Sequence, residues 1–153
     1  MTKISAGILL YKKQNGIMKI LLVHPGGPFW SKKDDGCWDF PKGEKHEDEN
    51  DLLTVAKREF KEETNFDIDG DFTALPMVKQ KNGKEVHLFA VEGDIDPTQI
   101  QSNTLFIDWP PHSGKKLEIP EVDRAEFYTI EEAKKKVWPY LIPLIEGFEE
   151  LTN

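Results

Sequence analysis

A single cysteine, Cys37, excludes an internal disulfide and leads us to expect a reducing compartment. No run of about 18 apolar residues occurs. The opening MTKISAGILLYKK sets a short apolar stretch between charges with no small-residue cleavage site. These features predict neither a membrane span nor a signal peptide, and hence a cytoplasmic protein. Basic residues are in deficit: 20 Lys and Arg against 28 Asp and Glu leave a formal charge of −8. Binding to nucleic-acid backbones rests on Lys and Arg neutralising phosphates, so bulk nucleic-acid binding is not expected. An anionic ligand then needs a local basic patch or a metal. His24, His46, His87 and His112 lack metal-ligand spacing and read as structural or surface residues. Repeats, low-complexity tracts and linkers are also missing. At 153 residues and 38% hydrophobic content the chain is expected to form one domain, 1–153, with its own core.

What is there begins with two hairpin signals. SAGILLYKK and IMKILLVHP flank Asn15-Gly16, and LPMVKQK and KEVHLFAVEGD flank Asn82-Gly83; Asn-Gly accepts the positive φ of a two-residue turn. Between them runs GGPFWSKKDDGCWDFPKGE, too long for a plain connector and of the length that is often functional. A helix is expected over roughly 51–64, then strands, a Pro-rich loop at DWPPHSGKK and a short strand near EFYTI. Thr129 and Glu132 form a capping box that opens a helix over KKKVW, ended by Pro139. Leu141, Leu144, Ile145 and Phe148 then recur at helical intervals. Hairpins mixed with helices imply an α/β fold with a mixed sheet.

The helix carries KREFKEETNF. At about 100° per residue, Glu59, Glu62 and Glu63 share a stripe about 100° wide, bordering the face of Leu52, Leu53, Ala56 and Phe60. Like charges at these spacings repel, and partial burial adds to the cost of keeping them ionised. One reading is a solvated acidic face; the other is a site for a hard cation, Mg²⁺ or Mn²⁺, which takes carboxylates and substrate phosphates. Arg58 lies beside the stripe, four residues before Glu62, and Pro41-Lys42-Gly43-Glu44 supplies a turn whose backbone can approach an ion.

The stretch from Gly43 to Phe66, GEKHEDENDLLTVAKREFKEETNF, resembles the Nudix box: Gly, five residues, Glu, seven residues, then Arg-Glu-hydrophobic-x-Glu-Glu-x-Gly-hydrophobic. Arg58, Glu59, Phe60, Glu62, Glu63 and Phe66 match the second half in order. Gly43 and Glu49 keep the first gap, but eight residues separate Glu49 from Arg58, placing an added residue near Asn50. Asn65 stands where the box has its last Gly, and Asn tolerates a left-handed helix cap next best. Beyond the box, VHPGGPFWSKKDDGCWDFPKGE, VEGDIDP and the Trp109-Pro110-Pro111 to PEVDRAEF region are similar to a bacterial Nudix subgroup described as predicted nucleotide pyrophosphohydrolases.

The resemblance implies an α/β/α sandwich with a mixed central sheet, and hydrolysis of a nucleoside diphosphate linked to another moiety, including nucleoside and dinucleoside polyphosphates. It assigns Mg²⁺ or Mn²⁺ to Glu59, Glu62, Glu63 and the Gly43 carbonyl, and catalytic work to Glu62, Glu63, Arg58 and Glu49, with water attacking phosphorus in line. Lys42, Lys79 and Lys81 are candidates for phosphates, the last two as one face of the second hairpin or simply a solvated face. Trp109 is a candidate for stacking on a base or for packing under its Pro-Pro turn, and Trp30 and Trp38 carry the same alternatives. Glu118, Glu121 and Asp123 are candidates for a late ligand or base. A Nudix-fold nucleotide-binding or sensor module with weak catalysis, and an acidic interaction domain, remain the competing readings.

Overall fold

The computed structural model describes residues 3–152. Strands β1 (Ile4–Gln14) and β2 (Ile17–Pro25) form the centre of the sheet. They turn at Asn15 and Gly16, both at positive φ (55° and 78°) as a two-residue hairpin requires. The hairpin is paired from Tyr11↔Ile20 to Gln14↔Ile17. Nearer its start β1 pairs instead with β3 (Lys42–Glu44), from Ser5↔Glu44 to Gly7↔Lys42. A Cβ on Gly7 would lie 2.3 Å from the Cβ of Lys42, so only glycine permits that approach. The chain from 26 to 41 thus leaves β2 and returns to the same sheet as a long strap.

On its other edge β1 runs parallel to β6 (Glu85–Glu92). Such a pair needs a crossover, and helix α1 (Leu52–Thr64) lies on it. β4 (Thr73–Ala74) and β5 (Val78–Lys79) pair antiparallel with β6, and β9 (Val122–Thr129) with β2. The result is a mixed seven-stranded sheet, as the sequence leads one to expect.

Alternation along the strands splits the apolar residues between two cores. Ala6, Ile8, Leu10, Leu21 and Val23 pack with Val55, Ala56 and Phe60 of α1. Leu9, Ile20 and Leu22 point the other way, to Ala133 of α2 (Ile130–Lys136) and to Leu144, Ile145 and Phe148 of α3 (Ile142–Thr152). Each large side chain so buried is worth roughly 1.5–3 kcal/mol, and the arrangement is the expected helix, sheet, helix sandwich. The Thr129 capping box forms in full, with Glu132 N donating to Thr129 Oγ1 and Thr129 N to Glu132 Oε1. Pro139 stands past the end of α2 and opens a 3₁₀ turn, Pro139–Leu141.

Three expectations change. The Pro-rich segment is the tip of a separate two-stranded ribbon, β7 (Thr104–Asp108) and β8 (Lys116–Pro120), whose Leu105, Ile107, Leu117 and Ile119 alternate onto one face. EFYTI spans the end of the eight-residue β9 and the start of α2, because pairing with β2 extends the strand back to Val122. The helix over KKKVW ends at Lys136, and Val137 instead bridges to Trp38. Among the described residues no helix is long and apolar enough to cross a membrane.

Candidate active site

The acidic helix is set by its ends. Asp51 caps its start, accepting from Leu53 N at 3.3 Å and Thr54 Oγ1 at 2.7 Å. Asn65 closes it at φ 67°, donating to the Lys61 carbonyl, so the asparagine performs the left-handed turn for which the motif uses glycine. Asn50 lies before the cap, outside the helix. With Val55, Ala56 and Phe60 fully buried, Glu59 and Glu63 are carried to the border of the core at 8% and 7% exposure.

Arg58 organises one side of the stripe. Its Nε and Nη2 reach Glu49 Oε2 and Oε1, each at 2.8 Å, and Nη1 reaches Glu59 Oε1 at 2.8 Å and Glu62 Oε1 at 3.1 Å. The fork suits this: a guanidinium offers five donors in a fixed plane. The Arg58 bonds hold Glu49 down at about 2, helped by His46 N, while the Glu49 bonds lead in raising Arg58 above its ordinary value. Despite the extra residue, Glu49 therefore meets Arg58. Glu59 lies against the Gly43 backbone, where an added Cβ would come within 2.2 Å of the Glu59 carboxyl carbon.

Among the described residues, Glu63 and Glu121 have no such ion-pair partner. Burial, reinforced by Asp39 and Glu59, pushes Glu63 well above the ordinary carboxylate value. Burial and then Glu62 raise Glu59, and Glu121 rises for the same two causes. Lys42 is the nearby cation, 10% exposed, with Nζ 3.2 Å from Asp39 Oδ2. Burial works against its charge, yet Asp39, Tyr140 and Glu63 outweigh it and hold Lys42 above the usual lysine value. Asp39 in turn accepts from Phe40 N at 2.7 Å.

Glu121 reaches this side through backbone bonds. Its N donates to Asn103 O at 2.9 Å, Asn103 N donates to Glu62 O at 2.8 Å, and Gly26 N donates to Glu121 O at 3.0 Å. The joint between β8 and β9 is thereby tied to the last turn of α1 and to the strap. Asp39, Lys42, Glu63 and Glu121 line a cavity of about 200 Å³, walled by Trp30 and Trp138.

Of the residues singled out from sequence, the fold thus gathers Gly43, Glu49, Arg58, Glu59, Glu62, Glu63 and Lys42. Lys79 stays on exposed strand β5, Lys81 in the turn of the second hairpin, and Trp109 at the tip of the ribbon; none lines the cavity. Trp38 is core, its Nε1 donating to Asp34 at 2.8 Å. Glu118 accepts from Thr104 on the ribbon, and Asp123 holds buried His24 at 2.8 Å. His24 is thus structural, as expected. Asp39 and Trp138 carry no local sequence signal, because only the bridges Val23↔Asp39 and Trp38↔Val137 bring them to the cavity.

Among the described residues no three His, Cys, Asp or Glu side chains stand as a ready-made ligand set. The donor chemistry nevertheless suits a hard divalent cation. Glu59, Glu63 and Glu121 are carboxylates whose burial and mutual repulsion are relieved by positive charge.

A family model described as the NUDIX domain matches residues 1–148. No curated protein matches the sequence. Among solved structures, the fold is similar to a C. elegans Ap4A hydrolase binary complex, at 22% identity, 97% coverage of each chain and a TM-score of 0.66. It is similar to the NUDIX domain of Shewanella oneidensis NrtR complexed with ADP ribose, at 16% identity, 100% and 90% coverage and a TM-score of 0.68. MutT protein from Methanosarcina mazei Go1 shares 18% identity over 99% and 96% of the two chains, with a TM-score of 0.63.

Proposed function

The chain belongs to the NUDIX domain family, whose hydrolases act on acid anhydrides, and from that premise we propose that it cleaves a pyrophosphate bond in a nucleoside diphosphate linked to another moiety. Nucleoside and dinucleoside polyphosphates are the substrates, and the chain falls with the bacterial nucleotide pyrophosphohydrolases that its flanking strings resemble. The observation that carries this reading is the set of buried or half-buried carboxylates, with Glu63 and Glu121 lining one cavity together with the Lys42 cation and buried Glu59 close beside them. A solvated acidic face would not bury its charges.

Glu59, Glu62, Glu63 and the Gly43 carbonyl hold Mg²⁺ or Mn²⁺ in this reading. When bound, the ion supplies positive charge to the phosphoryl oxygens as charge develops in the transition state. Glu121 takes the proton of the attacking water; its raised pKa brings it closer to the working pH of a base. Lys42 has three donors, so it serves a phosphate oxygen while keeping its bond to Asp39. Arg58 is a positioning residue: through Glu49 it is anchored to the turn before α1, and through Nη1 it sets Glu59 and Glu62. Lys79, Lys81 and Trp109 have no part in it.

Cleavage of a panel of nucleotides into two phosphorylated fragments, read by product identification, is expected only when Mg²⁺ or Mn²⁺ is added. Failure of every nucleotide with either ion overturns the reading, and nucleotide binding without turnover points to the sensor module instead. A thermal melt titrated with Mg²⁺ at fixed ionic strength reads the metal directly. The midpoint rises, by the equivalent of about 2.7 kcal/mol at a hundredfold excess over the dissociation constant if the unfolded chain binds none. Glu59→Gln rises less, and an equal response in both proteins removes Glu59 from the metal.

A further inference from the structure

We propose that the free edge of β7 is an interface between two copies of this chain, in which Thr104–Asp108 pairs antiparallel with the same segment of a partner about a two-fold axis at Phe106. The ribbon of β7 and β8 stands apart from the seven-stranded sheet, and among the described residues its strands pair only with each other. Phe106, at 66%, is the most exposed large apolar side chain of the described residues. A strand edge with unused N–H and C=O groups is a template for another strand, and proteins ordinarily blunt it with proline, charge or a covering segment.

The two edges of the ribbon are unequal. Trp109 N donates to Lys115 O and Glu121 N to Asn103 O, each at 2.9 Å, one bond at either end. With Leu105↔Ile119, Phe106↔Glu118 and Ile107↔Leu117 paired between them, Leu105 and Ile107 direct their backbone groups to β8, whereas Thr104, Phe106 and Asp108 turn theirs outward. On β8 the outward positions fall to Lys116, Glu118 and Pro120. Pro120 has no N–H, and the strap abuts the strand there: a Cβ on Gly26 would come within 2.1 Å of Pro120 O, and one on Gly27 within 2.7 Å of Ile119 Cδ1. The β8 edge is thus closed at one end, while the β7 edge is open along its length. It is also ordered in advance. Gln101 N donates to Thr64 O at 3.2 Å and Asn103 N to Glu62 O at 2.8 Å, so β7 starts from the last turn of α1 and loses less entropy on pairing.

The segment is complementary to its own reverse. Antiparallel pairing centred on Phe106 sets Phe106 against its copy, Leu105 against Ile107 of the other chain and Thr104 against Asp108, and every outward N–H and C=O of β7 then has a partner. On the face that carries Phe106, Thr104 Oγ1 donates to Glu118 Oε2 at 2.8 Å and Lys116 Nζ to Asp108 Oδ1 at 2.6 Å. These polar side chains are already satisfied, and the residue across the ribbon from Phe106 is Glu118, so its apolar partner comes only from across the axis. On the other face Leu105, Ile107, Leu117 and Ile119 of the two ribbons join into one layer. Self-pairing of β8 would instead set Glu118 directly against Glu118, a repulsive pair. A two-fold contact uses the same patch twice and closes at the dimer. Five residues make a small interface, and each chain carries −8, so association is weak, with a dissociation constant of roughly 1–100 μM that falls as salt screens the repulsion.

Sedimentation velocity of the full chain, from tenfold below that range to tenfold above it, tests this. Monomer is expected to pass to dimer and no further, with the midpoint at lower concentration in added NaCl. Phe106→Glu, which sets like charges at the axis, should raise the midpoint at least tenfold. Hydrogen exchange in concentrated protein should slow the amides of Thr104, Phe106 and Asp108 and leave those of Lys116 and Glu118 at their dilute rates. Phe106→Cys keeps the test open if Phe106→Glu alters the far-UV circular dichroism. Directly opposed residues have Cα atoms about 5.5 Å apart, within the span of a disulfide, so oxidised glutathione should link two copies. Buried Cys37 should leave the wild type unlinked, and Ile17→Cys, at an exposed position beside the first hairpin turn, should link at least tenfold more slowly. A monomer at every concentration, a dimer whose midpoint folded Phe106→Glu leaves unchanged, or Phe106→Cys linking no faster than Ile17→Cys overturns the inference.

Discussion

Two neighbourhoods lie on either side of the same helix stripe and treat the same side chain in opposite ways. On the Arg58 side, Glu49 accepts two charge-assisted bonds and its carboxyl is held down at about 2. On the cavity side, one turn further along the helix, Glu63 is buried beside Asp39 and Glu59 and is pushed well above its ordinary value. Hydrogen bonds from a cation favour the ionised form, while desolvation and like charge disfavour it. The difference separates a carboxylate that fastens the site from carboxylates that stand ready for a ligand's charge.

The largest expected consequence is kinetic. Glu63→Gln and Glu62→Gln should each lower turnover by roughly two or more orders of magnitude, as the loss of a group holding the reacting centre does. Glu63→Gln should at the same time unfold at an equal or higher urea concentration, because it removes a buried charge with little change of shape. Near wild-type turnover in both variants would dissolve the distinction between the two sides.

Arg58→Met strikes the opposite side and should reverse the pattern. Glu49, Glu59 and Glu62 lose a shared partner, at a cost of about 1–2 kcal/mol, below that of a fully buried pair because the Arg58 side chain is 24% exposed. Activity should fall about 10- to 100-fold, the usual effect of losing a group that orients ligands. Urea midpoints and kcat measured together check it; a midpoint that does not move would show that Arg58 fastens nothing.

The pH dependence is smaller and separates the sides by sign. Glu49 has a depressed pKa, so its contribution is present above about pH 4.3 and is lost as pH falls from there toward about 2. Glu63 has a raised pKa, so the folded protein retains its proton where the unfolded chain has released it, and stability declines as pH rises above about 4.3. Urea midpoints across pH should show Glu49→Gln flattening the acid limb and Glu63→Gln flattening the decline above it. The smallest effect is expected from deleting Asn50, which lies in the turn before the Asp51 cap. Activity should stay within several-fold; collapse in a folded protein would make that turn part of the site.

By itself the sequence determined what depends on neighbours a few residues apart. Asn15-Gly16 set the first turn with both residues at positive φ, Gly83 alone did so in the second, and Thr129 with Glu132 opened α2 through two local hydrogen bonds. Asp51 and Asn65 bounded a helix whose 3.6-residue period carried Glu59, Glu62 and Glu63 to the core's edge. Tertiary structure decided which faces meet. Lys79 and Lys81 share a local spacing that says nothing about which part of the sheet the cavity adjoins. The cavity itself draws Trp30 from the strap, Asp39 from its return, Glu121 from the joint of β8 and β9, and Trp138 from beyond α2. The backbone bonds that assemble it span up to about a hundred residues, from Trp38 to Lys136 and from Gly26 to Glu121. No periodicity encodes such bonds, because they form only once the two cores have packed against opposite faces of one sheet.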